Sequence, residues 1–148
     1  MGRISKFLQL TGPERRLLLQ AWPMVCAVRL MLWLLPFRLL REMLTKFSYG
    51  TEADVKTERV TVECVAWAVT VTSRYVPVAT CLTQALVTKL MLGRFGHQAI
   101  VRIGVARSDT GELQAHAWVE SGGKIVIGGS ESSLQRYKPL AAANGDLW

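Results

Sequence analysis

Leu113-Gln114-Ala115-His116-Ala117-Trp118-Val119-Glu120-Ser121-Gly122-Gly123-Lys124-Ile125-Val126-Ile127-Gly128 is the stretch on which the fold turns. Its first eight residues read as a strand, Ser121-Gly122-Gly123 as a turn, and Lys124 to Gly128 as a second strand. Upstream, Ala99 to Arg107 has the same β period, and Ser108-Asp109-Thr110-Gly111 supplies the turn between. The spacing predicts a three-stranded antiparallel meander. Before it, Thr80 precedes Cys81-Leu82-Thr83-Gln84-Ala85-Leu86-Val87-Thr88-Lys89-Leu90-Met91-Leu92. Positions 82, 85, 86 and 90 make one helical stripe that ends at Gly93, which puts Cys81 in the first turn of a helix. Val55 to Tyr75 holds no Gly or Pro over more than a strand's length and reads as another helix, ended by Pro77. Phe47 to Asp54 reads as a connection, and Gly129 to Trp148 as loop and tail. The fold class is α+β.

One domain is expected from 148 residues, half of them apolar. The formal charge of +7 is uneven, because residues 1–46 carry eight Lys or Arg against Glu14 and Glu42. The remaining residues carry ten basic and nine acidic side chains, which argues against a nucleic-acid-binding surface on the body. Residues 1–48 therefore read as a basic, apolar helical arm and 49–148 as a catalytic core, the two together one compact unit. In the arm, Thr11 caps a helix with Pro13 and Glu14 in its first turn, and Pro36 divides it from a second helix. Leu17 to Leu35 is long enough to span a bilayer. Arg29 costs roughly 2.5 to 3.5 kcal/mol at a central position, and Gln20 and Pro23 weaken the case further. No small-residue cleavage site follows the apolar run, so it is not read as a signal peptide. Core packing or docking of a partner protein, with Trp22, Met24, Met31, Trp33 and Phe37 on offer, ranks first; membrane contact through residues 17–44 ranks second. Three cysteines with no CxxC spacing suggest neither a disulfide framework nor a zinc cluster, and fit a reducing, cytoplasmic compartment with or without membrane association.

A cysteine in the first turn of a helix meets the positive end of the backbone dipole, which favours thiolate. Cys81 is thus a candidate nucleophile, while Cys26 and Cys64 lie in apolar helical stretches and read as inert core residues. Of the two histidines, His97 sits in a turn and His116 on a strand. In the meander register His116 faces Gly104 on one side and Gly128 on the other, leaving room for a thiol or a peptide beside the imidazole. Gly104, Gly128 and Trp118 are accordingly the candidate substrate-binding residues, although Trp118 suits packing better than catalysis. The Cys81 N–H is the candidate oxyanion donor, with the Gln84 side chain one turn on.

Cys81-Leu82-Thr83-Gln84-Ala85-Leu86, Gly104-Val105 and Ala115-His116-Ala117-Trp118-Val119-Glu120, with the arm Leu10-Thr11-Gly12-Pro13-Glu14-Arg15-Arg16-Leu17-Leu18-Leu19, resemble the leader peptidase of lasso-peptide biosynthesis. The resemblance covers nearly the whole chain and is to the split form of that B protein, the stand-alone protease half. It implies a cysteine protease of transglutaminase-like, papain-like fold with an N-terminal helical arm. Such an enzyme removes the leader from a ribosomal precursor peptide, acts with a small leader-recognition protein, and hands its product to an ATP-dependent macrolactam cyclase. No metal or other cofactor is implied. Carried over residue by residue, Cys81 is the nucleophile and His116 the base.

The third position departs from the family's pattern, since the residue matching its aspartate is Gly128. A third group fixes the imidazole tautomer and stabilises the imidazolium, and losing it costs on the order of 10⁴ in serine proteases. A preformed thiolate depends on it less. Glu131 is the nearest acid downstream and is the expected third member; Glu120 lies ~14 Å along the strand at ~3.4 Å per residue. Acyl transfer on the same pair and a non-catalytic scaffold are the alternative functions.

Overall fold

The computed structural model describes residues 10–36, 39, 42, 60–77 and 79–140. Helices α1 (Gly12–Leu34), α2 (Val62–Ser73) and α3 (Cys81–Arg94) precede the sheet. The sheet holds β1 (Ile100–Arg107), β2 (Leu113–Ser121), β3 (Lys124–Ile127) and β4 (Lys138–Pro139), with a one-turn α4 (Glu131–Leu134) between the last two. Strand order is β3-β2-β1-β4, antiparallel throughout.

Helices α1, α2 and α3 each begin at a threonine, and each cap is local chemistry. At α1, Glu14 folds back so that its Oε2 accepts from the N–H and the hydroxyl of Thr11, 2.8 Å each. Thr11 thereby holds the Glu14 carboxyl below the usual carboxylate range. At α2, Thr61 Oγ1 accepts from the Cys64 N–H, and at α3, Thr80 Oγ1 accepts from the Thr83 N–H. The β-branched content of α2 is accommodated by back-bonding, with the hydroxyls of Thr70 and Thr72 donating to the carbonyls of Ala66 and Ala68 at 2.8 and 2.7 Å. Pro23 lies on the exposed side of α1 and has no N–H to give to the helix ladder.

The core is continuous from the helices into the sheet. Leu17, Leu18, Ala21, Val25 and Val28 of α1 meet Val65, Ala68 and Val69 of α2, and both meet Leu86, Val87, Met91 and Leu92 of α3. Val101, Ala117, Val119 and Ile127 carry the same cluster onto the sheet. Removing a buried leucine here, Leu86 or Leu92, would cost about 2 to 5 kcal/mol. The helix of the basic arm is therefore a wall of the core rather than an appendage.

Several boundaries differ from the sequence reading. Helix α3 runs through Gly93, and the residue that stops it is Gly96, at φ +77°. The segment read as loop and tail contains α4 and β4, so the meander gains a fourth strand beside β1, with Gly104 opposite Pro139. His116 does face Gly104. It does not face Gly128 in the ladder, because a bulge between Val119 and Glu120 shifts the β2–β3 register and ends β3 at Ile127. The helix expected over Val55 to Tyr75 begins at Val62, where Thr61 caps it, and ends at Ser73; the Phe47 to Asp54 connection and the second arm helix, apart from the helical Leu39 and Glu42, lie outside the described residues.

Candidate active site

Cys81 is the first residue of α3, half-buried and packed against the core, with Thr80 as its cap. The Thr80 carbonyl takes the Gln84 N–H at 3.1 Å, and its hydroxyl takes the Thr83 N–H at 3.3 Å. Gln84 is half-buried, one turn further along the same face. Cys81 is a free thiol, and helix α3 is the one that packs on β2.

His116 projects from β2 on the face shared with Trp118, while Ala117 and Val119 alternate into the core. Three contacts define its surroundings. Its Nε2 is hydrogen-bonded to the Gly128 carbonyl. Its ring lies 5.3 Å from the Tyr137 ring, tilted by 33°. Gly104 stands opposite it on β1. Tyr137 is held in turn by Arg136, whose Nη2 donates to the phenol oxygen at 3.1 Å and whose guanidinium lies 5.1 Å from the ring centre.

The two glycines do not leave the room that the sequence suggested. A Cβ on Gly104 would lie 2.9 Å from the Trp118 ring and 2.9 Å from Tyr137 Cβ. A Cβ on Gly128, at φ +102°, would lie 2.6 Å from Trp118 Cβ and 2.7 Å from the Ala117 carbonyl. Both absent side chains are replaced by packing, not by space. Trp118 is 5% exposed, and its indole N–H donates to Glu120 Oε1 at 2.9 Å, so it braces the sheet and offers little surface to a peptide. Glu120 also pairs with Arg102 at 3.4 Å, an exposed contact worth about 0 to 1 kcal/mol.

Glu131 is not the partner of His116 in this structure. It opens α4 with its side chain exposed, and among the described residues it makes no hydrogen bond or ion pair, while one of the two His116 ring nitrogens, Nε2, is taken by the Gly128 carbonyl. Nor does a hydrogen bond join Cys81 Sγ to His116 among the described residues. His97 is structural: its Nε2 meets the Val60 carbonyl at 2.8 Å and ties the turn after α3 to the chain entering α2. Cys64 packs against the core as expected, whereas Cys26 is half-buried and lies outside the core cluster, beside the inward-facing Val25. Tyr137 and the Gly128 carbonyl were missed by sequence reasoning. The adjacent Gly128 and Gly129, both at positive φ, were the one visible mark of a backbone turned to an unusual purpose. Among the described residues no group of three or more His, Cys, Asp or Glu is placed to hold a metal ion.

Residues 24–142 match the family described as the Transglutaminase-like superfamily, and the chain belongs to it. The helices followed by a small antiparallel sheet are the α+β arrangement that fits this family, whose members are usually cysteine-dependent enzymes of protease or acyltransferase type. No curated protein and no solved structure matches the chain.

Proposed function

We propose that this protein is a cysteine endopeptidase that removes the leader from a ribosomally made lasso precursor peptide. The observation that carries the reading is Cys81 as the first residue of α3, in a transglutaminase-like chain whose β2 presents His116. The thiol proton passes to His116, and Cys81 Sγ bonds to the scissile carbonyl carbon as its π electrons move onto oxygen. The Cys81 N–H and the Gln84 side chain steady that oxyanion. Collapse breaks the C–N bond, and the amine leaves with the proton held by His116, which frees the core peptide and leaves the leader as a thioester. Water, giving a proton to His116, then attacks the thioester and releases the leader carboxylate and the Cys81 thiol. Among the described residues His116 stands on the face of β2 turned away from the core on which Cys81 packs, so the reading requires peptide binding to bring the two side chains together.

A small leader-recognition protein is the proposed partner, supported by the outward face of α1. Leu19, Trp22, Leu30, Trp33 and Leu34 recur there at helical spacing, 53 to 75% exposed, on a helix whose other face is fully used by the core. By length and composition α1 could cross a membrane, but its five core residues favour an edge-on surface role over a spanning one. The new amine is the substrate an ATP-dependent macrolactam cyclase requires, and the setting is cytoplasmic.

The test is mass spectrometry of a precursor peptide incubated with the purified protein, with and without the leader-recognition protein. The expected result is cleavage at one bond, abolished by Cys81→Ala and by His116→Ala, retained by Cys26→Ala and Cys64→Ala, and weakened with the partner when Leu30 and Trp33 become serine. Transfer of the peptide acyl group to an added amine in place of hydrolysis would favour an acyltransferase. Full cleavage by Cys81→Ala would overturn the mechanism, and absence of selective Cys81 labelling by a thiol-reactive probe would favour a scaffold.

A further inference from the structure

We propose that the backbone carbonyl of Gly128 is the positioning group for His116, holding the neutral ring as its Nε2–H tautomer and leaving Nδ1 as the basic nitrogen. This rests on the reading of His116 as the base. A carbonyl oxygen can only accept a hydrogen bond, so the nitrogen facing Gly128 carries the hydrogen in either charge state of the ring. The neutral ring then has its lone pair on the other nitrogen, and the proton taken from a nucleophile can arrive only there.

The geometry shows why a side chain does not do this work. At φ +102° Gly128 is in a region closed to most residues, and any Cβ would sit 2.6 to 2.7 Å from backbone or Cβ atoms of Ala117 and Trp118. None of those atoms is the free end of a flexible side chain. The chain at this point can bring a carbonyl to the imidazole and cannot bring a carboxylate. The ring is fixed on a second side by Tyr137, itself braced by Arg136, so its orientation does not depend on one contact. Glu131, exposed and without a partner among the described residues, adds nothing to this arrangement. A neutral carbonyl orients the ring but stabilises the imidazolium less than a carboxylate would. The device therefore suits a thiol nucleophile, whose ionisation needs less help than a serine hydroxyl's.

Gly128→Ala is expected to push the segment after β3 off Ala117 and Trp118 of β2 through its clashes, so the decisive measurement uses the unaltered protein. Long-range ¹⁵N–¹H correlation spectra of the histidine-labelled chain, recorded above the titration of the rings, report which nitrogen carries the hydrogen. The Nε2–H form is expected for His116, with His97, whose Nε2 meets the Val60 carbonyl, as the internal standard for the same form. An Nδ1–H tautomer or an even mixture at His116 would overturn the proposal. In the cleavage assay, Glu131→Gln should leave kcat within about twofold and the pH–rate profile unmoved, and a loss of about tenfold or more with a displaced profile would overturn it too. The two readings fail separately. The expected tautomer in a protein that cleaves nothing refutes the peptidase, and the wrong tautomer in an active enzyme refutes only the role of Gly128.

Discussion

Gly104→Ala adds one methyl group beneath Trp118 and opposite His116, and its effect can be worked out with its sign. The backbone there is ordinary β, since Gly104 is not among the positive-φ glycines, so replacing glycine should gain about 0.4 to 1 kcal/mol through a less disordered unfolded chain. Against that, the new Cβ would lie 2.9 Å from the Trp118 ring and 2.9 Å from Tyr137 Cβ. Neither neighbour yields easily. The indole is anchored through its N–H to Glu120, and the Tyr137 atom is a Cβ fixed to a backbone whose neighbour, Lys138, pairs with Val105. Overpacking of this kind costs about 1 to 3 kcal/mol, which exceeds the gain. The expected net loss is about 1 to 2 kcal/mol, or roughly 0.5 to 1 M in the urea midpoint for a slope of about 2 kcal/mol per molar. Urea unfolding followed by far-ultraviolet circular dichroism measures it. Trp118→Leu should relieve the clash, so the cost of Gly104→Ala should shrink by about 1 kcal/mol in that background. A Gly104→Ala protein as stable as the parent, or more so, would refute the packing argument, and so would a cost independent of Trp118.

Two further outcomes follow from contacts away from that face. His97→Ala should lower stability by about 1 to 2 kcal/mol, because the Val60 carbonyl loses its donor, while peptide cleavage persists below the melting temperature; loss of cleavage at undiminished stability would contradict a purely structural His97. The Glu14 carboxyl is held down first by the Thr11 hydroxyl and then by the Thr11 N–H, so its contribution to α1 is full above the unfolded-state pKa and disappears as pH falls through the lower folded value. Backbone chemical shifts of residues 11 to 15 should move towards coil over that acidic window, and an equal movement in Glu14→Gln would assign the transition to some other group.

The starts at Thr11 and Thr80 were legible because their causes are local: the Glu14 carboxylate takes the Thr11 N–H, and the Thr80 hydroxyl takes the Thr83 N–H, each within one turn, whereas the start of α2 at Thr61 was not read, the helix being expected from Val55. The β1–β2 register was legible for a related reason, since the turn at 108–112 places Gly104 opposite His116 with no freedom to slip. What was hidden is non-local. Nothing near Gly104 announces that Tyr137 and Trp118 fill the volume above it, and nothing in Gly129 to Trp148 has the period of a strand, because β4 is two residues long and exists only by pairing with β1. The bulge at Val119/Glu120 broke the second register in the same way, moving Gly128 from a ladder position to a carbonyl contact with the histidine. At the site, the nucleophile candidate could be read from its cap and the base candidate from its strand. The group that orients the base could not, because a backbone oxygen has no letter in the sequence.

The two-residue strand β4 also limits how the sheet can meet other chains. It covers part of the β1 edge, and the Leu140 N–H donates to the Ile103 carbonyl at 2.9 Å, so acceptors that would otherwise face water are occupied. Pro139 has no N–H to give to a further strand, which makes that side a poor template for an incoming extended peptide. The opposite edge is β3, four residues long beside a bulge, and it offers a short and twisted ladder. The sheet is thereby guarded against the edge-to-edge stacking that starts fibrils, and among the described residues the exposed apolar side chains that could draw a partner are most concentrated on the outer flank of the first helix.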